Sequence, residues 1–308
     1  MKEKNAHHNG APHKNEYKEV KKILWLILFL NLGVAILKII VGSMISSAAM
    51  FADGIHSLSD GSSNVVGLIG IGFASKPIDI DHPYGHNKFE TMAGLFISIM
   101  LLFVAITIIK GGIEKLMTPV IPDITPLSLA ILGLTLGVNL FVATYEFRRG
   151  KALNSLILIS DSMHTRSDIF VTIGVLTTLI GIKLGLPPII DPIVSLFVAV
   201  VIIKAAYGIF KETNSILTDE AVEDPSRIEE VTRSFEEVLE VHKIRSRGTQ
   251  NSMYVDMHIK VAPSMSVEDG HKLMHNIDKM IKIEINLNCQ TIVHIEPYYC
   301  DESVKSDN

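Results

Sequence analysis

Two histidine–aspartate pairs of identical spacing, His56/Asp60 and His164/Asp168, lie inside long apolar segments. A charged group at the centre of a bilayer helix costs roughly 2.5–3.5 kcal/mol on insertion scales, so such residues generally mark a pathway or a site. A spacing of four puts both members of a pair on one helix face. Two such helices facing each other offer two imidazoles and two carboxylates, a donor set suited to tetrahedral Zn²⁺. The carboxylates neutralise the ion, and histidine titrates near neutral pH, so metal and protons compete for the same atoms. Metal transport with protons as the counter-ion is the expected chemistry. Taken singly, each pair is also compatible with an ordinary hydrogen bond between packed helices. Asp53, one turn outside His56, is either a carboxylate at the outer mouth or a helix-packing group.

Two further clusters carry metal-ligand chemistry. The segment "DIDHPYGH" holds Asp79, Asp81, His82 and His86, with Pro83 and Gly85 to bend the chain. Such a loop can wrap a cation, although solvated loops also collect these residues. In the last third of the chain stand His242, His258, His271, His294 and Glu296. His294 and Glu296 share one strand face, as do Asp256 and His258, so residues of neighbouring strands and a facing helix could converge. Scattered surface histidines are the competing reading, and His275 is expected to be simply exposed.

The elements that must hold these groups are legible from hydropathy. Mean hydropathy is +0.34, and the apolar content is concentrated in residues 22–210. Six stretches reach the ~20 apolar residues that a membrane helix needs: about 22–43, 46–74, 90–113, 124–147, 153–182 and 188–210. Lys18, Lys21, Lys22, Lys76, Lys88, Arg148, Arg149, Lys151 and Lys211 cluster on alternate connections, which predicts both termini in the cytoplasm. In that orientation His56 and Asp60 lie roughly 15–21 Å from the outer face and His164 and Asp168 roughly 14–20 Å from the inner face. Both pairs therefore reach the midplane of a core about 30 Å thick.

After the spans the sequence predicts helix 226–239, strands 241–247 and 252–261, helix 266–283 and strand 290–297, with "YVDMHIKV" alternating at period two. The fold class is a polytopic α-helical membrane protein with six transmembrane helices and a C-terminal α+β (αββαβ) cytoplasmic domain. The expected division is a disordered tail 1–19, a transmembrane domain 20–210, a metal-binding regulatory and dimerisation domain 211–300 and a short tail 301–308.

Charge and cysteine usage narrow the partners. From residue 211 onward 19 acidic residues oppose 11 basic ones, a net −8 against −5 for the whole chain. An acidic, histidine-bearing tail suits cations, and the absence of a basic stripe argues against nucleic acid. The only cysteines are Cys289 and Cys300, with no spacing of a disulfide framework. A metalloenzyme would want an open coordination position and an H-E-x-x-H helix. The quartet leaves no such position and the motif is absent. A membrane-anchored metal sensor or scaffold is the other rival, and midplane ligands argue against it.

At these residues, through "FADGIHSLSD", "HPYGHNKFE" and "DSMHTRSD", the chain resembles the cation diffusion facilitator family from about residue 20 to 298. The resemblance implies a metallochaperone-like tail and a homodimeric divalent-metal/proton antiporter that exports metal by alternating access. It implies a transport site on His56, Asp60, His164 and Asp168, and a loop site on Asp79, His82 and His86. A binuclear cytoplasmic site at the dimer interface would fall on His242, His258, His271, His294 and Glu296, where relatives commonly have Asp in place of Glu296. A lysine–aspartate interlock would fall on Lys88 and Asp219. The short "RRGKALN" connection points to a prokaryotic type in the bacterial inner membrane, surrounded by lipid. Zn²⁺ is the expected cargo and regulatory ligand, because two histidines with two aspartates disfavour Mn²⁺. Cd²⁺, Co²⁺ and Fe²⁺ are further candidates, and a Mn²⁺ or Fe²⁺ transporter is the alternative within the family.

Overall fold

The computed structural model describes residues 13–44, 57–58, 61–117, 126–187 and 189–299. It divides into two compact units, Met1–Asn214 and Ser215–Asn308. The first unit is helical: α1 (His13–Met44), α2 (Ser62–Ala74), α3 (Lys88–Met117), α4 (Pro126–Ala152), α5 (Leu156–Lys183) and α6 (Ile190–Leu217). Among the described residues four stretches are long and apolar enough to cross a membrane: Glu16–Val41, Lys88–Glu114, Leu129–Ala152 and Ile190–Leu217. The other two expected spans are less plain. Helix α2 is the described part of one, 13 residues long. Helix α5 has spanning length, about 42 Å at 1.5 Å per residue, but carries Asp161, His164, Arg166 and Asp168 within it.

These helices bury one stripe each and leave large apolar side chains outward. Val20, Leu24, Ile71, Ala93, Val142 and Ile157 join α1 through α5 in one cluster, and Leu101 and Ala105 meet Val198, Ile202 and Ala206 of α6 in another. Phe29, Phe103, Phe141, Phe197 and Tyr207 remain exposed, which a bilayer accepts and water does not. Close helix contact depends on small residues. A Cβ placed on Gly70 of α2 would come 2.4 Å from the Ala93 Cβ of α3.

The second unit contains α7 (Pro225–Arg233), β1 (Glu240–Thr249), β2 (Ser252–Val261), α8 (Val267–Glu284) and β3 (Cys289–Pro297). The strands form one sheet in the order β1-β2-β3, with β1 antiparallel and β3 parallel to β2. Met253, Val255, Met257, Ile259 and Val261 alternate inward and pack with Ile228 of α7 and Leu273, Ile277 and Ile281 of α8. Asp224 caps α7 by accepting from the Ser226 N–H, and Ser266 caps α8 by accepting from the Asp269 N–H. Helix α7 ends at Arg233, six residues before the expected end. The Ser234 and Phe235 N–H groups turn to the carbonyls three residues back, a 3₁₀-type tightening. That turn delivers Phe235 and Val238 to the core before the Leu239 N–H joins Lys260 at the sheet.

Candidate metal centres

In the first unit the sequence candidates His56, Asp60 and Asp53 lie outside the described residues. Their expected partners sit in the middle of α5. His164 is 3% exposed, and among the described residues neither ring nitrogen has a hydrogen-bond partner. Polar atoms buried without partners are uncommon and costly, the more so in an apolar layer. One turn further on, Asp168 and His164 both line a cavity of about 260 Å³ that also meets Asn31, Lys38, Asn139 and Thr135. Lys38, though it lies within a membrane helix, is buried and donates to Ser57 Oγ at 2.8 Å. A buried imidazole with open nitrogens, a carboxylate and a polar void together can accept a desolvated cation.

Sequence reasoning passed over the group next to this cavity. Asp161, one turn before His164, is fully buried and accepts a hydrogen bond from Asn64 Nδ2 of α2. Asn64 in turn accepts from Asn31 Nδ2 of α1 at 3.0 Å. Glu146 of α4, equally buried, stands beside Asp161 and accepts from Thr165 Oγ1 at 3.4 Å. A polar chain from α1 through α2 and α5 to α4 thus fixes the helix that presents His164 and Asp168. A signal for it was present: Asp53-x-x-His56-x-x-x-Asp60 and Asp161-x-x-His164-x-x-x-Asp168 share one spacing over eight residues.

Glu90, the last residue of "HPYGHNKFE", has a structural task. Its carboxyl accepts from Ser155 Oγ at 2.6 Å and from the N–H groups of Leu156 and Ile157. It thereby satisfies the open backbone donors at the start of α5.

The loop candidates converge. Asp79 Oδ1 lies 3.0 Å from His82 Nδ1, and Asp79 Oδ2 lies 3.2 Å from His86 Nε2. The turn His82-Pro83-Tyr84-Gly85 closes with a hydrogen bond from the Gly85 N–H to the His82 carbonyl, and Gly85 takes φ +86°. This brings the two rings to 4.3 Å. His86 is buried against Phe89. Partial burial would push the Asp79 carboxyl up. The hydrogen bonds from the His82 ring and backbone N–H, with the positive potential of His82 and His86, outweigh it and hold the carboxyl below its ordinary range. Asp79, His82 and His86 each bring one ligand atom within 4.8 Å of the others.

In the second unit His242, His258 and Glu296 form a group of the same tightness. The register sets His242 opposite His258, and His258 beside His294. A bulge places three residue steps of β1, from His242 to Arg245, against two of β2, with Lys243 at φ +50°. Such bulges re-aim side chains. Glu296 reaches His258 Nδ1 at 2.7 Å and His242 Nε2 at 3.3 Å. The bond from His258 holds the Glu296 carboxyl below its ordinary range, helped by the potential of His242. His294 sits at the rim, its Nε2 3.8 Å from Glu296 Oε1.

His271 does not join them. It lies on α8, on the helix-covered side of the sheet, whereas His258 alternates with the inward-facing Met257 and Ile259 and so points away from the helices. Within one chain His242, His258 and Glu296 therefore come together with His294 at the edge, and His271 stands apart from them. Of the implied interlock, Lys88 opens α3, and Asp219, at φ +57°, stands 3.8 Å from Arg247 Nη1.

Comparison with known proteins adds an independent line. Residues 24–218 match the cation efflux transmembrane domain, and residues 222–298 match the cation efflux protein cytoplasmic domain. A transporter of Methanocaldococcus jannaschii is 33% identical over 86% of this chain and 93% of its own. The manganese efflux system protein MneP of Bacillus subtilis is 28% identical over 91% of this chain and 96% of its own. The manganese efflux system protein MneS of the same organism is 29% identical over 85% of this chain and 90% of its own.

Proposed function

Since the chain belongs to the cation efflux family of multi-pass membrane metal transporters, we propose that it exports Zn²⁺ from the cytoplasm in exchange for protons. His56, Asp60, His164 and Asp168 are the transport ligands, and the site opens alternately to the two sides. The observation that carries this reading is His164: a buried imidazole with both nitrogens unpartnered among the described residues, on the same cavity as Asp168. Zn²⁺ between two carboxylates and two neutral imidazoles leaves no surplus charge. When the ion departs, two bare carboxylates in a poorly solvated layer favour protonation. Protons thus return where metal has left, which couples the two flows.

The loop group Asp79, His82 and His86 and the tail group His242, His258, Glu296 and His294 bind metal in support of this step. Metal on the tail lowers its net −8 charge and lets two copies associate through their cytoplasmic domains, with both termini in the cytoplasm. The cytoplasmic membrane of a prokaryotic cell is the proposed location. Export of Mn²⁺ is the second reading, favoured by the names of the two Bacillus relatives. Proteoliposomes with an imposed pH gradient and a metal-sensitive dye inside decide between them. Zn²⁺ flux that collapses with the gradient and vanishes in Asp168→Ala supports the first. Mn²⁺ flux exceeding that of Zn²⁺ supports the second, and undiminished flux in Asp168→Ala overturns the site.

A further inference from the structure

Arg166 lies inside α5 yet meets no carboxylate among the described residues. A cation within a membrane helix is costly and generally serves a function. Its Cα stands about 15 Å along α5 from Leu156, and helical side chains lean back toward the start of their helix. The guanidinium carbon accordingly comes to 4.1 Å from the centre of the Phe147 ring of α4. Its one other contact is a long one, Nη1 to the Met163 sulfur at 3.7 Å. Lys151, one turn after Phe147, leans the opposite way along α4 and sets its Nζ 4.7 Å from the same ring. Two cations from the two helices of one hairpin thus converge on a single aromatic face system.

The ring attracts each cation, but the cations repel each other, and a poorly solvated layer screens that repulsion weakly. The nearby carboxylates are engaged elsewhere: Glu146 turns inward to Thr165 and Asp161, and Glu19 takes Arg149. An anion would offset both charges. The surroundings say which kind. Leu140 and Phe141 of α4, two turns before Phe147, are exposed, and so are Phe170 and Ile173 of α5, one and two turns after Arg166. Because the two helices run in opposite directions, both apolar rows lead away from the cations into the same layer. A free phosphate gains nothing from such rows, whereas acyl chains do. Guanidinium suits phosphate oxygens in pairs, and basic pockets between membrane helices hold anionic head groups.

We propose that Lys151 and Arg166, together with the Phe147 ring, bind the head group of one anionic phospholipid whose acyl chains lie along the outer faces of α4 and α5. Through Arg166 this lipid grips the helix that carries His164 and Asp168. Those two residues line the interior cavity, so lipid and metal occupy separate places.

The test uses the full-length protein in detergent, washed free of lipid and titrated with phosphatidylglycerol, with bound lipids counted by native mass spectrometry. One lipid is expected to bind ahead of the rest, and phosphatidylcholine should bind there more weakly. Lys151→Gln and Arg166→Gln should each raise the half-saturation of that first lipid about fivefold or more. Arg148→Gln, which removes an exposed charge near the end of α4, should leave it in place. Lys151 is exposed, so its substitution does not endanger folding, and Arg166→Lys, which keeps the charge, should retain part of the affinity. Inorganic phosphate in large excess should not displace the lipid. Displacement by phosphate, equal binding of phosphatidylcholine, indifference to Lys151→Gln, or an equal loss in Arg148→Gln overturns the proposal. The readout needs neither metal nor flux, so either result leaves the transport reading to its own experiment.

Discussion

Glu296 Oε1 and His258 Nδ1 stand 2.7 Å apart across the parallel β2–β3 pair, close enough that the imidazole fixes one carboxylate oxygen. The other oxygen is left to face His242 at 3.3 Å. One side chain therefore orders two imidazoles on the sheet face opposite α7 and α8. The glutamate spans this gap from the position next to Lys260 in the register.

Removing that carboxylate gives a first prediction. Loss of an outer-sphere partner already weakens metal binding by about 10–100-fold, so Glu296→Gln, which removes a ligand, should weaken Zn²⁺ binding at the tail by at least about tenfold. Transport by the membrane helices should persist. Calorimetric Zn²⁺ titration beside liposome flux checks both halves, and unchanged affinity would remove Glu296 from the site.

The same contact predicts a pH dependence. The Glu296 carboxyl is held low in the folded protein. Its contribution to stability is therefore fully present above the unfolded value of about 4.3, and is lost as pH falls through the lowered folded value. In metal-free buffer the thermal midpoints of the parent and Glu296→Gln should differ near neutrality and converge on acidification through that window. A gap that is constant with pH would mean that the ionised carboxylate contributes nothing.

Much of this was legible beforehand, for identifiable reasons. Period-two alternation placed β2 to the residue, because burial on one face of a sheet imposes it. Strand neighbours with matched chemistry, His242, His258 and His294, could be grouped once the strands were recognised. The register bulge at Lys243 that aligns His242 was hidden, since an extra residue leaves no compositional mark. The separation of His271 from these residues within one chain was also hidden, because periodicity tells which face of a helix is apolar but not which side of the sheet that helix covers. Asp161 and Glu146 were overlooked for another reason. Their partners Asn64 and Thr165 come from other helices, so the spacing that Asp161 shares with Asp53 marks the residue but not what it pairs with.

Helix contact at Gly70 supplies a third prediction. A methyl group there meets the Ala93 Cβ at 2.4 Å, so α2 and α3 must move apart, and overpacking of this kind costs about 1–3 kcal/mol. Gly72, two residues on, has nothing within 4 Å of an added Cβ. Gly72→Ala should be neutral or stabilising by up to about 1 kcal/mol through helix propensity. Thermal unfolding of the two variants in detergent should move in opposite directions from the parent, or at least differ by this margin. Equal midpoints would show that the helices accommodate the methyl group freely.

The last prediction separates holding the transport site from binding within it. Asp161 touches the cargo in no step proposed above, yet it accepts from Asn64 and stands beside Glu146, joining α2 and α4 to the helix that carries His164 and Asp168. Asp161→Ala leaves the buried Asn64 amide with an unmet donor, at a cost of about 1–3 kcal/mol. It also frees α5 to shift its ligands. Turnover should fall while metal still binds, because the four ligands remain but their geometry is no longer enforced. Asp161→Asn, which keeps an oxygen acceptor for Asn64, should restore most of the stability and part of the rate. Asp168→Ala, by contrast, should abolish flux with little change in unfolding temperature. Metal-dependent initial rates in liposomes, read with thermal midpoints for the three variants, distinguish these cases. If Asp161→Ala abolished binding as completely as Asp168→Ala did, Asp161 would have to be counted as a ligand itself.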